Sequence, residues 1–262
     1  MRGIRTHVIS ILLLNSQGST VSDAIIIQQP AQAAQQLLVL HHGVGGTAQD
    51  MVPLGQHLAA HFPNAFIVSV HAPDVSDLGH NSGGAQWFSV QGITDENRPA
   101  RVAQALPAFI DNLRHWQTTS GVEPTATAVI GFSQGAIMAL EAAQAQAGLA
   151  ARIVALSGRY AELPEHAPEK TTLHFIHGKS DPTIHYSHCV TAAERLVRLG
   201  GDITADVIPF LAHEVNADVM DMVVERFTGH IPKHKWEEVQ TADAEERAVK
   251  HGGASDSRLT KA

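Results

Sequence analysis

A chain of 262 residues and 28.0 kDa has room for one large domain around a single core and is short for two of ordinary size. Hydrophobic residues at 44% and charged residues at 17% exclude a disordered chain. Eighteen basic against 26 acidic residues, net −8, leave no electrostatic footprint for nucleic acid or for an anionic membrane surface, so neither a nucleic-acid partner nor a stable membrane association is expected. The single Cys189 cannot close an intramolecular disulfide, and no cysteine cluster has zinc-ligand spacing, which fits a reducing, cytoplasmic setting. Seventeen histidines make the net charge depend strongly on pH near 6.

In chain order, residues 1–22 come first. Arg2 and Arg5 precede a short apolar run, Val8 to Leu14, that imitates a secretory signal, but no A-x-A-like cleavage site follows, so the stretch reads as a disordered extension. From Ala24 short apolar runs alternate with longer amphipathic stretches. Strands are expected at Ala24–Gln28, Gln36–His41, Ala65–Val70, Thr125–Ile130, Arg152–Leu156, Thr171–Ile176 and Ile203–Ile208. Helices are expected at Ala48–His61, Pro99–Thr118, Gln134–Gln146, Tyr186–Leu199 and Asn216–Phe227. Gly148 and Gly200 stop two of them, and Pro73 to Gly84, rich in Asp, Ser and Gly, reads as a long surface loop. This alternation predicts one α/β domain over 23–232, a mostly parallel central sheet with helices on both faces. The last thirty residues hold twelve of the forty-four charged ones, so 233–262 reads as a charged tail, with a short helix expected at Trp236 to Val249.

The strand ending at Ile130 runs into Gly131-Phe-Ser-Gln-Gly135, and a helical pattern starts at once. G-x-S-x-G alone is a common glycine-rich turn. Between a strand and a helix it is the arrangement that holds a serine on a sharp turn, hydroxyl exposed, at a helix N-terminus where the Gln134 N–H can meet a developing oxyanion. A nucleophilic Ser133 then needs an acid and a histidine, in that order, from later strand ends. Asp181 follows one strand in His177-Gly-Lys-Ser-Asp181, and His213 follows the next in Phe210-Leu-Ala-His213. His174, His177, His185 and His188 compete for the base, but only His213 has the required order and loop position. Asp206 competes for the acid but sits inside a strand.

A second oxyanion donor is expected from the loop His41-His-Gly-Val-Gly-Gly46, with the Val44 N–H as candidate. That loop also matches the dinucleotide fingerprint G-x-G-x-x-A over Gly43 to Ala48, which on its own would suggest NAD. The fingerprint expects an acidic residue at the end of the next strand, where this chain has His71. No H-E-x-x-H helix or Cys/His spacing supports a metal site.

Taken together, His42-Gly-Val-Gly45, Gln86-Trp-Phe-Ser-Val-Gln-Gly-Ile-Thr94, Gly131 to Gly135, His177 to Asp181 and His213-Glu214 resemble one family. It is the carboxylesterase and phospholipase family of α/β-hydrolases, which also contains the acyl-protein thioesterases; the similarity runs from about Ile25 to about Pro232. The resemblance implies an α/β-hydrolase fold, Ser133 as nucleophile, Asp181 as orienting acid, His213 as base, and Val44 and Gln134 as oxyanion donors. It also places Trp87 and Phe88 beside the acyl pocket, where the sequence by itself offers only core aromatics. Ser89 stands where much of the family has an aspartate, which weakens any transfer of substrate preference, and Ala212 replaces the usual glycine before the histidine. The expectation is a serine carboxylesterase acting on small esters with short to medium acyl chains, without metal or organic cofactor. An acyl-thioesterase or lysophospholipase is the near alternative, and a non-catalytic binding protein with this fold the distant one. A homodimer stays open.

Overall fold

The computed structural model describes residues 24–78 and 83–241. Its strands are β1 (Ala24–Gln28), β2 (Gln36–His41), β3 (Ala65–Val70), β4 (Asp74–Val75), β5 (Ala85–Gln86), β6 (Thr127–Phe132), β7 (Arg152–Leu156), β8 (Thr172–Gly178) and β9 (Asp202–Ile208). Its helices are α1 (Val52–His61), α2 (Arg98–Ser120), α3 (Gln134–Ala145), α4 (Ser187–Arg198) and α5 (Ala217–Gly229).

Seven strands form one sheet in the order β1-β3-β2-β6-β7-β8-β9, all parallel except β1, which runs antiparallel to β3. The central strands are apolar at nearly every position because both faces are covered. In β2, Leu37 and Val39 join the core beneath α2, α3 and α4, while Leu38 and Leu40 point to the opposite core beneath α1 and α5. β9, at the sheet edge, is only half-buried. The architecture is a single α/β domain built on this sheet.

The chain order reverses between β2 and β6. From β2 it steps outward to β3, and from β6 it proceeds the other way through β7, β8 and β9. Crevices form at such reversals, outside the carboxyl ends of the strands. The glycine loop leaves β2 there and the serine turn leaves β6 beside it.

Beyond shifts of one or two residues at other element ends, the structure differs from the expected elements in three places. β6 starts two residues later than expected and runs to Phe132, because Pro124–Ala126 turns as a short 3-10 helix. The helix expected from Ala48 starts as a 3-10 turn, Ala48–Met51, and becomes α-helical at Val52, with Pro53 in its first turn. The loop from Pro73 carries β4, which pairs with β5. Gly148 and Gly200 adopt positive φ beyond the ends of α3 and α4, and Asn216 caps α5 by accepting the Val219 N–H at 3.1 Å. Residues 233–241 are helical; the rest of the helix expected at Trp236 to Val249, and the whole of the expected extension 1–22, lie outside the described residues. Among the described residues, no helix is long and apolar enough to cross a membrane.

Candidate active site

Ser133 sits between β6 and α3 with φ 52° and ψ −114°, outside the regions a non-glycine residue normally occupies. Such a backbone costs on the order of 1–3 kcal/mol and persists only where its surroundings over-determine it. The constraints are visible. The Ser133 N–H donates to Leu156 O on β7 at 2.9 Å, and the Ala136 and Ile137 amides close the first turn of α3 on Ser133 O at 3.0 and 3.1 Å. A Cβ at Gly135 would collide with the carbonyls of His41 and His42, so glycine there lets α3 dock against the end of β2.

Three side chains from three strand ends meet at this turn. The Ser133 hydroxyl lies 2.9 Å from His213 Nε2, and His213 Nδ1 lies 2.7 Å from Asp181 Oδ2. The loop carrying His213 is drawn to the acid by backbone contacts. Ser180 N–H donates to Leu211 O at 3.0 Å, Lys179 N–H to Ile208 O at 2.9 Å, and only a glycine at 178 leaves room for the Leu211 and Ala212 carbonyls. Asp181 is buried, and its other oxygen accepts the Thr183 and Ile184 amides at 2.8 and 2.9 Å. Burial works against its charge, but the bonds from His213, Ile184 and Thr183 together outweigh that and hold the carboxyl below its ordinary range. His177, one of the rival histidines, stands 3.3 Å from Asp181 Oδ2 and 2.7 Å from Ile184 O, its pKa lowered chiefly by burial. It braces the acid loop, a role that sequence order alone did not suggest.

The remaining rivals lie elsewhere. Asp206 is paired with Arg226 on α5, with contacts of 2.6 and 2.8 Å. His174 bonds Thr204 Oγ1 at 2.9 Å, and His185 bonds Ser187 Oγ at 2.8 Å. His188 lies 3.3 Å from Arg159 Nη1. Among the described residues no group of three or more His, Cys, Asp or Glu is arranged to hold a metal ion. In the glycine loop, the Gly45 N–H donates to Ala85 O on β5 and the Gly46 N–H to Gly43 O, which takes up amides a dinucleotide fingerprint would use.

Val44 lines a cleft of about 260 Å³ together with His213, Phe132, Met51 and Val215. Gln134 opens α3, so its N–H is among the four amides a helix start leaves without an intrahelical acceptor. Its side chain does something the motif did not announce: Oε1 accepts the Trp87 N–H at 2.8 Å and Nε2 donates to Phe88 O at 2.7 Å. Trp87 and Phe88 are 4% and 5% exposed. The Trp87 ring packs on His41, His42 and Phe109, and neither aromatic lines the cleft. Ser89, where the resemblance leads one to expect an aspartate, donates to Asp77 Oδ2 at 2.5 Å, and the same oxygen accepts the Val90 amide at 2.9 Å. A carboxylate thus reaches this segment from the preceding loop.

Comparison with known proteins places the chain in a family. The phospholipase/carboxylesterase family model matches residues 22–231. Esterase YpfH of Escherichia coli is 48% identical over 216 residues, covering 82% of this chain and 92% of that protein. Acyl-protein thioesterase 1 of Cryptococcus neoformans is 24% identical over 183 residues, covering 66% of this chain and 77% of that protein. The crystal structure of esterase PE8 superposes with a TM-score of 0.68 at 28% identity, over 79% of this chain and 96% of that one. With its sheet, its serine turn and this match over most of its length, the chain belongs to the phospholipase/carboxylesterase family of α/β-hydrolases.

Proposed function

We propose that the chain is a serine carboxylesterase that hydrolyses small esters with short to medium acyl chains through an acyl-enzyme on Ser133. The observation that carries this reading is the continuous relay from Ser133 through His213 to Asp181 at 2.9 and 2.7 Å. His213 Nε2 takes the serine proton as Oγ attacks the ester carbonyl, then gives it to the departing alcohol oxygen as the carbon–oxygen bond breaks. Asp181, fixed by two backbone amides, holds the ring with Nδ1 protonated and stabilises the imidazolium. Water, deprotonated by the same nitrogen, attacks the acyl-enzyme and releases the acid and the free serine.

The Val44 and Gln134 amides donate to the oxyanion in both half-reactions. Trp87 and Phe88 shape the acyl site through the segment they anchor, which Gln134 ties to the nucleophile turn. The modest cleft favours compact substrates over aggregated lipid. A series of p-nitrophenyl esters from acetate to palmitate, run beside matched thioesters, tests the assignment. The expected result is a kcat/KM maximum at short to medium oxygen esters, with a loss of at least about 10⁴-fold in Ser133→Ala. A maximum on long-chain thioesters would move the reading to an acyl-thioesterase, and near-wild-type turnover by Ser133→Ala would overturn it.

A further inference from the structure

The residues leaving β2 must be held by something other than a strand ladder. His42, 1% exposed, supplies part of that hold. Its Nε2 lies 3.0 Å from the Ala72 N–H, and a backbone N–H can only donate, so this nitrogen carries no proton. The proton of the neutral ring is therefore on Nδ1, which lies 2.7 Å from the Gly43 carbonyl oxygen and donates to it. The same carbonyl accepts the Gly46 N–H at 3.1 Å, and the His42 carbonyl accepts Trp87 Nε1–H at 2.8 Å. Burial favours the neutral ring and lowers its pKa; the nearby Gly43 carbonyl opposes this and His71 adds to it.

In a trans peptide the carbonyl and the following N–H point in opposite directions, and no cis bond occurs among the described residues. Fixing the Gly43 carbonyl toward the His42 ring therefore fixes the Val44 N–H away from it. That peptide lies against the nucleophile, since a Cβ at Gly43 would come within 3.1 Å of Ser133 Cβ, and Val44 faces the cleft that His213 also lines.

We propose that His42 is a positioning residue: its Nδ1–H, donated to the Gly43 carbonyl, turns the Val44 N–H toward the oxygen that gains charge when Ser133 attacks. The inference rests on the reading of Val44 as an oxyanion donor. It adds a chain of bonds in which imidazole N–H, Gly43 carbonyl, Val44 N–H and oxyanion lie in series, each polarising the next.

The test uses the full chain. His42→Phe keeps a ring but donates nothing, and His42→Asn places an amide N–H near the position of Nδ1. Deleting one oxyanion donor outright costs about 10²–10³ in kcat; with the Val44 N–H present but its peptide held only by the longer Gly46 N–H bond to the Gly43 carbonyl, His42→Phe is expected to lose roughly tenfold to a hundredfold, KM staying within about threefold. Affinity for a trifluoromethyl ketone, which forms the tetrahedral adduct, should fall by the same factor, and His42→Asn should recover most of both. An amide-to-ester replacement at Val44, which removes only the N–H, separates the two claims. If it leaves kcat intact, the oxyanion reading of Val44 fails; if it lowers kcat while a folded His42→Phe does not, the role of His42 alone fails. Should His42→Phe not fold, nitrogen-15 NMR of the wild-type imidazole decides: an Nδ1–H, Nε2-bare tautomer supports the proposal, and the opposite tautomer overturns it.

Discussion

At Ser133 the chain holds a residue in a backbone conformation its type avoids, and the contacts that hold it there also build the relay. That Ser133, Asp181 and His213 would meet was legible in the sequence because chain order restricts the choice: an acid and then a histidine, each after a strand, leave few candidates. The bracing shell was not legible. His177 looked like one more histidine near Asp181 until its contacts with the acid and with Ile184 O were visible, and the Gln134 amide group gave no sign of reaching a segment more than forty residues earlier. Asp181→Asn tests the acid directly. The carboxamide is nearly the same size but cannot hold the imidazole tautomer and stabilise its charge, so kcat should fall by about 10³–10⁴ with KM little changed. Loss of less than tenfold would show that the ring is oriented by other groups.

Elements succeed or fail here by how closely their ends approach. Strand and helix existence followed from apolar periodicity, whereas the shifted start of β6 and the small β4–β5 pair did not, because a 3-10 turn at Pro124 and two-residue strands leave no periodic signal. The docking of α3 against β2 depends on glycine at 135. Gly135→Ala measures it with an unambiguous sign. Helix propensity alone predicts a gain of up to about 1 kcal/mol, but the new Cβ meets the His41 and His42 carbonyls. We expect a net loss of about 1–3 kcal/mol in urea unfolding, together with a fall in kcat of tenfold or more as the serine turn shifts from the glycine loop. Unchanged or increased stability would mean that α3 has slack the geometry does not show.

Across the whole molecule, parallel strands on either side of the reversal between β2 and β6 gather residues from positions 44, 133, 181 and 213 at the carboxyl end of the sheet. The histidine-rich composition predicts a pH-dependent net charge but does not say which histidines are buried. His41, buried against the Trp87 and Phe109 rings, has its pKa lowered to about 3 by burial and by His42. His174 is lowered to about 3 by burial, then by Arg152 and His230. Folded pKa values below the unfolded value mean that, between pH 6.5 and about 3, the unfolded chain binds protons the folded one does not. Stability is therefore fully present above pH 6.5 and declines as the pH falls toward 3, by up to about 1.4 kcal/mol per pH unit for each such histidine. Urea unfolding from pH 7.5 to 4.5 should show this decline, and His41→Leu should flatten it by about one proton. An identical pH slope in wild type and variant would contradict the assignment.

The most direct test of the central claim, an activated serine at the β6–α3 turn, is reaction of the folded protein with a fluorophosphonate followed by peptide mass spectrometry. The account predicts a single adduct on Ser133 that disappears or slows by orders of magnitude in His213→Ala. Folded wild-type protein that forms no adduct, or forms it on another residue, would contradict it.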